Sequence, residues 1–220
     1  NCASGSMRTD GSIMKHFELV SISDQEYYYN NPSILSGIQA CVQPEKCGIW
    51  AYPYPQLFDD RLLMASEAVD TDSERNMNKT VFNMINSMMG VMYLSGHIEL
   101  ADDKNTKLIR DAISLYKERR EFIKSAYPIY PCGRFAIEEK GFYAYGLADK
   151  KRDKILLAVW RINSAEDVEV FELSKYLDGN YDVQVIYPVE VKTDFAFSNG
   201  KLSVKLDDVC TARLFEIAKK

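Results

Sequence analysis

Two textures divide the chain at the Pro128-Ile129-Tyr130-Pro131 break. Before it, apolar positions come in short runs or at helical spacing; after it they alternate with polar ones. Phe17 to Ser23 (FELVSIS) reads as a short strand, and Gly48 to Tyr54 (GIWAYPY) as a buried one stopped by Pro53 and Pro55. Between them, Ser33 to Val42 reads as a helix that Pro44, lacking an N–H, terminates. Arg61 to Val69 and Thr80 to Met89 carry helix-compatible spacing, the second also compatible in part with strand. Asn105 to Lys124 is the clearest helix. Leu108, Ala112 and Leu115 make one stripe, Ile109, Ile113, Tyr116 and Ile123 lie beside it, and Lys and Arg stand opposite.

Beyond Pro131 the segments Arg134 to Glu138, Gly141 to Ala148, Lys154 to Ile162, Val168 to Leu173, Tyr181 to Tyr187, Lys201 to Leu206 and Thr211 to Ala218 favour strand. Asn199-Gly200 is a strong two-residue hairpin signal, because both residues tolerate positive φ. The expected fold class is therefore α/β followed by all-β. Residues 1–127 supply part of a parallel sheet, and residues 128–220 an antiparallel domain of roughly 90 residues, within the usual range. There are too few strand–helix units for a whole eight-fold barrel, which takes about 250 residues.

Composition narrows the partners. With 46% hydrophobic and 27% charged residues the chain has ordinary globular composition. A net charge of −5 and no basic patch with interleaved aromatics argue against nucleic acid. The apolar run Met84 to Tyr93 is too short to span a bilayer, so no membrane role is expected. Five scattered cysteines, none in Cys-x-x-Cys spacing, and only two histidines, His16 and His97, leave little material for a disulfide framework or a zinc site. A reducing, cytoplasmic compartment and no metal or organic cofactor are the expectation. The Met84, Met88, Met89, Met92 run reads as core, and the Tyr27 to Tyr29 and Tyr52, Tyr54 groups as half-buried packing or as aromatics that stack on a ligand. Asn1 is not an initiator methionine, so a fragment or a processed chain is expected.

The candidate chemistry lies in the first 24 residues. The turn Cys2-Ala3-Ser4-Gly5-Ser6 lets backbone N–H groups approach a ligand, since small residues put little in the way. Asp24 follows an apolar strand, where α/β barrels keep catalytic groups; a helix cap or turn aspartate is the plainer reading of the residue alone. Cys2 reads equally as a buried apolar residue, Ser4-Gly5-Ser6 as an ordinary turn, and Arg8 with Asp10 as a pair bracing the loop.

This stretch resembles the motif region of glycoside hydrolase family 36, the α-galactosidase family. Its Cys-x-Ser/Gly-Gly-Gly-Gly-Arg-x-Asp stands here as Cys2-Ala3-Ser4-Gly5-Ser6-Met7-Arg8-Thr9-Asp10, and its Trp-x-Ser-Asp as Ser21-Ile22-Ser23-Asp24. Looser matches follow at Tyr52-Pro53, at Ser87 to Gly96 before Glu99-Leu100, and at Tyr116-Lys117-x-Arg119-Arg120. The resemblance implies the C-terminal part of a (β/α)8 barrel followed by an antiparallel β-sandwich. It assigns Asp24 as general acid/base of a retaining glycosidase acting on α-galactosides, and Cys2, Ser4, Gly5 and Ser21 as substrate-binding positions. The family's nucleophile segment does not occur in these 220 residues, so the chain alone is expected to be inactive, and a homo-oligomer is expected. Ser6 and Met7 replace glycines, and Ser21 replaces a tryptophan; both departures bear on which sugar is taken. The alternatives are a non-enzymatic carbohydrate-binding or scaffold protein, and a galactosyl transferase of the same wider group.

Overall fold

Pro32 in the first turn, where no N–H is needed, starts helix α1 (Asn31–Ile38) two residues earlier than the apolar pattern suggests. In the computed structural model, which describes residues 15–21, 28–54, 57–58, 61–62, 73–133 and 141–220, this helix joins the first two strands of a parallel sheet. Those strands are β1 (Val20–Ser21) and β2 (Cys47–Ala51), paired Val20 to Cys47 and Ser21 to Gly48. Pro44 does not simply stop α1; it opens a short 3₁₀ turn, Pro44–Lys46, that leads into β2.

Two short strands follow, β3 (Leu57–Phe58) and β4 (Arg61–Leu62), paired antiparallel. Residues 61–62 therefore depart from the helix expected over Arg61 to Val69. The rest of that stretch lies outside the described residues. Helix α2 (Ser73–Met88) then crosses to β5 (Val91–Leu94), which lies parallel to β2 with Trp50 opposite Tyr93. Helix α3 (Asp103–Ser125) is the long helix foreseen, with Leu108, Ile109, Ala112 and Ile123 buried. Asp102 caps it, accepting from the Asn105 N–H at 2.8 Å.

The rest is antiparallel. β6 (Tyr127–Ile129), β7 (Phe142–Ala148), β8 (Lys154–Arg161), β10 (Tyr181–Tyr187) and β13 (Thr211–Lys219) form one sheet in the order β10-β13-β8-β7-β6. β9 (Val168–Glu172), β11 (Asp194–Ser198) and β12 (Lys201–Lys205) form a second, in the order β11-β12-β9. The Asn199-Gly200 signal is met: Ser198 pairs with Lys201, and the two turn residues take φ of 51° and 73°.

Alternation divides the five-stranded sheet cleanly. Phe142, Ile155, Leu157, Val159, Phe215 and Ile217 share a core with Phe171, Leu202 and Val204 of the smaller sheet. Tyr143, Tyr145, Trp160, Ala212 and Leu214 turn the other way, into a core with both long helices. Helix α2 is the middle layer. Its Phe82, Met84, Ile85 and Met88, with Met89 just beyond its end, share that core with Ile49 and Ala51 of the parallel sheet, and the helix lies against both β2 and β13. The methionine run is thus core, as expected, with Met92 partly buried beside it.

Polar ties fix the layers. Arg119 of α3 donates to Glu216 of β13 at 2.9 Å, and Lys154 approaches the same carboxylate at 3.4 Å. The Tyr187 hydroxyl donates to the Leu108 carbonyl, and the Tyr145 hydroxyl to the Gln39 amide oxygen. Gln39 in turn donates to the Met89 carbonyl at 2.9 Å. Among the described residues, Cys41 and Cys47 carry free thiols, the first exposed and the second buried. No helix among the described residues is long and apolar enough to cross a membrane.

Candidate functional site

Successive strand residues face opposite sides, and that geometry gives the parallel sheet two unlike faces. Ile49, Ala51, Met92 and Leu94 meet the helices. Gly48, Trp50, Val91 and Tyr93 therefore occupy the face turned away from them, and Ser21, in register with Gly48, joins them. Gly48 lets the Tyr93 ring lie where it does, because a Cβ there would come 2.5 Å from that ring and push it aside.

Trp50 is the centre of this face. Its indole N–H donates to the Ser21 hydroxyl at 2.7 Å, and Ser21 is only 4% exposed. Tyr52 stacks on the indole with ring centroids 5.7 Å apart and planes 17° from parallel. Tyr93 meets it edge-on at 4.9 Å. Tyr52 is buried, whereas Trp50 and Tyr93 stay partly open to solvent. The cluster stands at the carboxyl end of the strands, where parallel α/β sheets hold ligands.

Helix α2 sets the loops at this end through buried amides. Asn83 accepts from the Tyr52 N–H at 3.0 Å and donates to the Lys79 carbonyl. Asn86 donates to the Tyr28 carbonyl at 2.9 Å. Tyr28 packs edge-on against Phe82, and Tyr54 is buried; packing is what the structure shows for both. After β5 the chain continues the ladder, Ser95 donating to the Ala51 carbonyl, and turns at Gly96. His97 Nδ1 then meets the Glu99 carboxylate, which lowers the Glu99 pKa. Burial raises the pKa of the Tyr54 phenol, helped by the nearby Asp102 charge, while the Asn105 N–H holds that carboxyl below its usual value.

Of the sequence-derived site residues, Ser21 is the one within the described part of the chain, on β1 against Trp50. Cys2, Ser4, Gly5 and Asp24, with Arg8 and Asp10, lie outside the described residues. Among the described residues, no group of three or more His, Cys, Asp or Glu is placed to hold a metal ion. A cavity of about 810 Å³ lies away from the aromatic face, beside the segment entering β2, between Gln39, Pro44, Lys124, Pro128, Asp149 and Asp153. Sequence reasoning singled out neither Trp50 nor Tyr93, and it gave Asn83 and Asn86 no role. A tryptophan two residues from a flagged tyrosine was the signal available at Trp50; the two amides gave none.

Solved structures decide what this arrangement resembles. A variant of the α-galactosidase AgaA from Geobacillus stearothermophilus, bound to 1-deoxygalactonojirimycin, superposes with a TM-score of 0.68 over 99% of this chain at 14% identity. The fold is similar to part of a GH36 α-galactosidase. The α-galactosidase from Lactobacillus brevis matches over 94% of the chain with a TM-score of 0.57 at 12% identity. The galactosidase domain of the α-galactosidase–sucrose kinase AgaSK gives 0.57 at 14% identity. The chain covers 28% of the AgaA variant and 27% of the other two, so it spans just over a quarter of the enzymes it resembles, a share that fits a C-terminal portion. No protein-family model and no curated protein sequence matches it. The likeness of fold is thus to solved members of the family that the Cys2–Asp24 stretch resembles in sequence.

Proposed function

We propose that this chain is the C-terminal part of a retaining glycosidase that acts on α-galactosides. The observation that carries the reading is the likeness to GH36 α-galactosidases over nearly the whole chain, with a partly open aromatic face at the carboxyl end of its parallel strands. On this reading β1, β2 and β5 close a (β/α)8 barrel, residues 1–127 belong to it, and residues 128–220 form a β-sandwich. Cys2, Ser4, Gly5 and Ser21 serve sugar binding. Oligosaccharides are the substrate class; AgaA variants have been crystallised with raffinose and with stachyose.

A retaining glycosidase needs two carboxyl groups about 5–5.5 Å apart, one as nucleophile and one as acid/base. Asp24 is the acid/base: it gives its proton to the leaving oxygen, then takes one from the water that releases the sugar. The nucleophile lies outside these 220 residues, so the chain alone turns over no aryl α-galactoside. No cofactor enters the chemistry, and the assembled enzyme is a homo-oligomer.

The test is Asp24→Ala in the full-length protein. General acid catalysis is worth roughly 10²–10⁴-fold, so natural oligosaccharides lose that much turnover. A nitrophenyl α-galactoside, whose leaving group departs unaided, forms the intermediate far more readily, and azide restores its turnover. Asp10→Ala shows no leaving-group dependence and no rescue. The reverse pattern assigns the role to Asp10 and overturns the reading of Asp24.

A further inference from the structure

We propose that Asn86 is a positioning residue for the acid/base: by holding the Tyr28 carbonyl, it fixes the far end of the segment that carries Asp24. The proposal rests on the reading of Asp24 given above and adds how the fold holds that carboxyl. Asp24 belongs to residues 22–27, which join Ser21, at the end of β1, to Tyr28. On the Ser21 side the Trp50 N–H donates to the serine hydroxyl at 2.7 Å. Tyr28 is held by one stripe of helix α2, where Lys79, Phe82 and Asn86 stand three and four residues apart and so share a face. The Lys79 ammonium lies 5.8 Å from the centre of the Tyr28 ring, and Phe82 meets that ring edge-on at 5.1 Å. The Asn86 amide donates to the Tyr28 carbonyl at 2.9 Å. Pro32, four residues after Tyr28, has no N–H to offer that oxygen. Fixing both ends of so short a connection restricts every residue within it.

A role in stability alone does not account for Asn86. The residue is fully buried, and its amide oxygen meets no donor among the described residues. A buried acceptor left without a donor offsets much of what the one hydrogen bond contributes. Asn83, three residues earlier and equally buried, uses both ends of its amide, accepting from the Tyr52 N–H and donating to the Lys79 carbonyl. Asn83 holds the chain where it leaves β2; Asn86 holds it where it returns after β1. The first therefore contributes more to stability and the second to the placement of Asp24. Misplacing a reacting group by about 1 Å can slow a reaction about 10²-fold, so one hydrogen bond at the end of this segment is enough to matter.

The experiment uses the full-length protein with raffinose, whose leaving group needs a proton, and a nitrophenyl α-galactoside, whose leaving group does not. Asn86→Ala lowers kcat on raffinose roughly ten- to a hundred-fold, part of what general acid catalysis supplies, with KM little changed. On the nitrophenyl substrate the loss is several-fold smaller, and azide restores it. Made in the Asp24→Ala background, the same substitution costs nothing further on raffinose, because no acid is left to place. Asn83→Ala lowers the thermal midpoint more than Asn86→Ala does, yet shows no leaving-group dependence. Asn86→Ser keeps a shorter donor and gives the same pattern at smaller size; it serves as the reading if the alanine variant fails to fold. Equal losses on the two substrates, or an undiminished loss in the Asp24→Ala background, overturn the positioning role and leave Asp24 as the acid/base. An Asp24→Ala variant that itself shows no leaving-group dependence removes the reading of Asp24, and the positioning role falls with it.

Discussion

The two sheet systems differ in what covers them. The five-stranded sheet is enclosed on both faces, by the helices on one side and the three-stranded sheet on the other. The parallel sheet has helices on one face only, and the other carries Ser21, Trp50 and Tyr93 over a glycine. In the first region each large side chain is spent on packing. In the second, aromatic rings are ordered by their neighbours and still left partly open, the condition under which a ring can meet a ligand as well as a core.

The largest expected effect tests that contrast directly. Phe215, fully buried between the two antiparallel sheets, should cost about 3–5 kcal/mol when replaced by alanine. Trp50→Ala, although it removes a larger side chain, should cost roughly 2 kcal/mol, because part of the ring already faces water. Urea midpoints of the two variants read the difference. Equal losses would mean that the aromatic face is ordinary core.

Alkaline pH tests one buried group in each region next. Burial pushes the Cys47 thiol, at the start of β2, from 9.0 up to about 12, against a lowering contribution from Gln39. Tyr143, in the five-stranded sheet, is raised from 10.0 to about 12 for the same first reason. In both, the unfolded chain loses its proton at lower pH than the folded one. The stabilisation is complete below the unfolded pKa and is lost as pH rises toward the folded value. For Cys47 the window is pH 9 to 12, and the loss is at most about 4 kcal/mol. Cys47→Ala should therefore lose less stability than the parent between pH 9 and 11, whatever its starting value. Parallel slopes for parent and variant would leave the thiol without a part in alkaline unfolding.

What could be read in advance follows the same division. Tyr181–Tyr187 was legible to the residue, and so was the turn at Asn199-Gly200, because a strand with one large partner sheet alternates and a tight hairpin demands particular residues. Helix α3 was legible through its apolar stripe and charged outer side. β5 was not, since all four of its residues are partly buried and show no alternation. Nor was the role of Thr80, Asn83, Asn86 and Ser87, polar residues fully buried in α2. A hydrophobic pattern assigns such residues to solvent, whereas here Thr80, Asn83 and Asn86 hold another helix and two loops by hydrogen bonds, and Ser87 donates to the Met84 carbonyl of its own helix. Of the motif residues, Ser21 could be flagged by its place before Asp24; its partner Trp50, far along the chain, could not.

Gly48→Ala sharpens the comparison at smaller scale. The added methyl meets the outer atoms of the Tyr93 ring, at 2.5 Å from the nearest carbon, so the ring can swing aside. The loss should be about 1 kcal/mol, the worth of an aromatic edge contact. An unaltered near-ultraviolet circular dichroism spectrum would show that Tyr93 had not moved.

The smallest effect has the opposite sign, and it depends on the backbone rather than on a site. Gly37 lies inside α1, and a Cβ there meets nothing within 4 Å. Its φ is not in the left-handed region, so alanine is compatible with the native chain and narrows the unfolded ensemble. Gly37→Ala should raise stability by about 0.5–1 kcal/mol. Gly200→Ala is the control in the antiparallel region. There φ is 73° and the new Cβ would come 2.9 Å from the Ser174 Cβ, so the same chemical change should cost about 1–2 kcal/mol. Thermal midpoints moving in opposite directions would tie both effects to local conformation. A loss at Gly37 would mean that the added methyl meets packing which the open surface of α1 does not show.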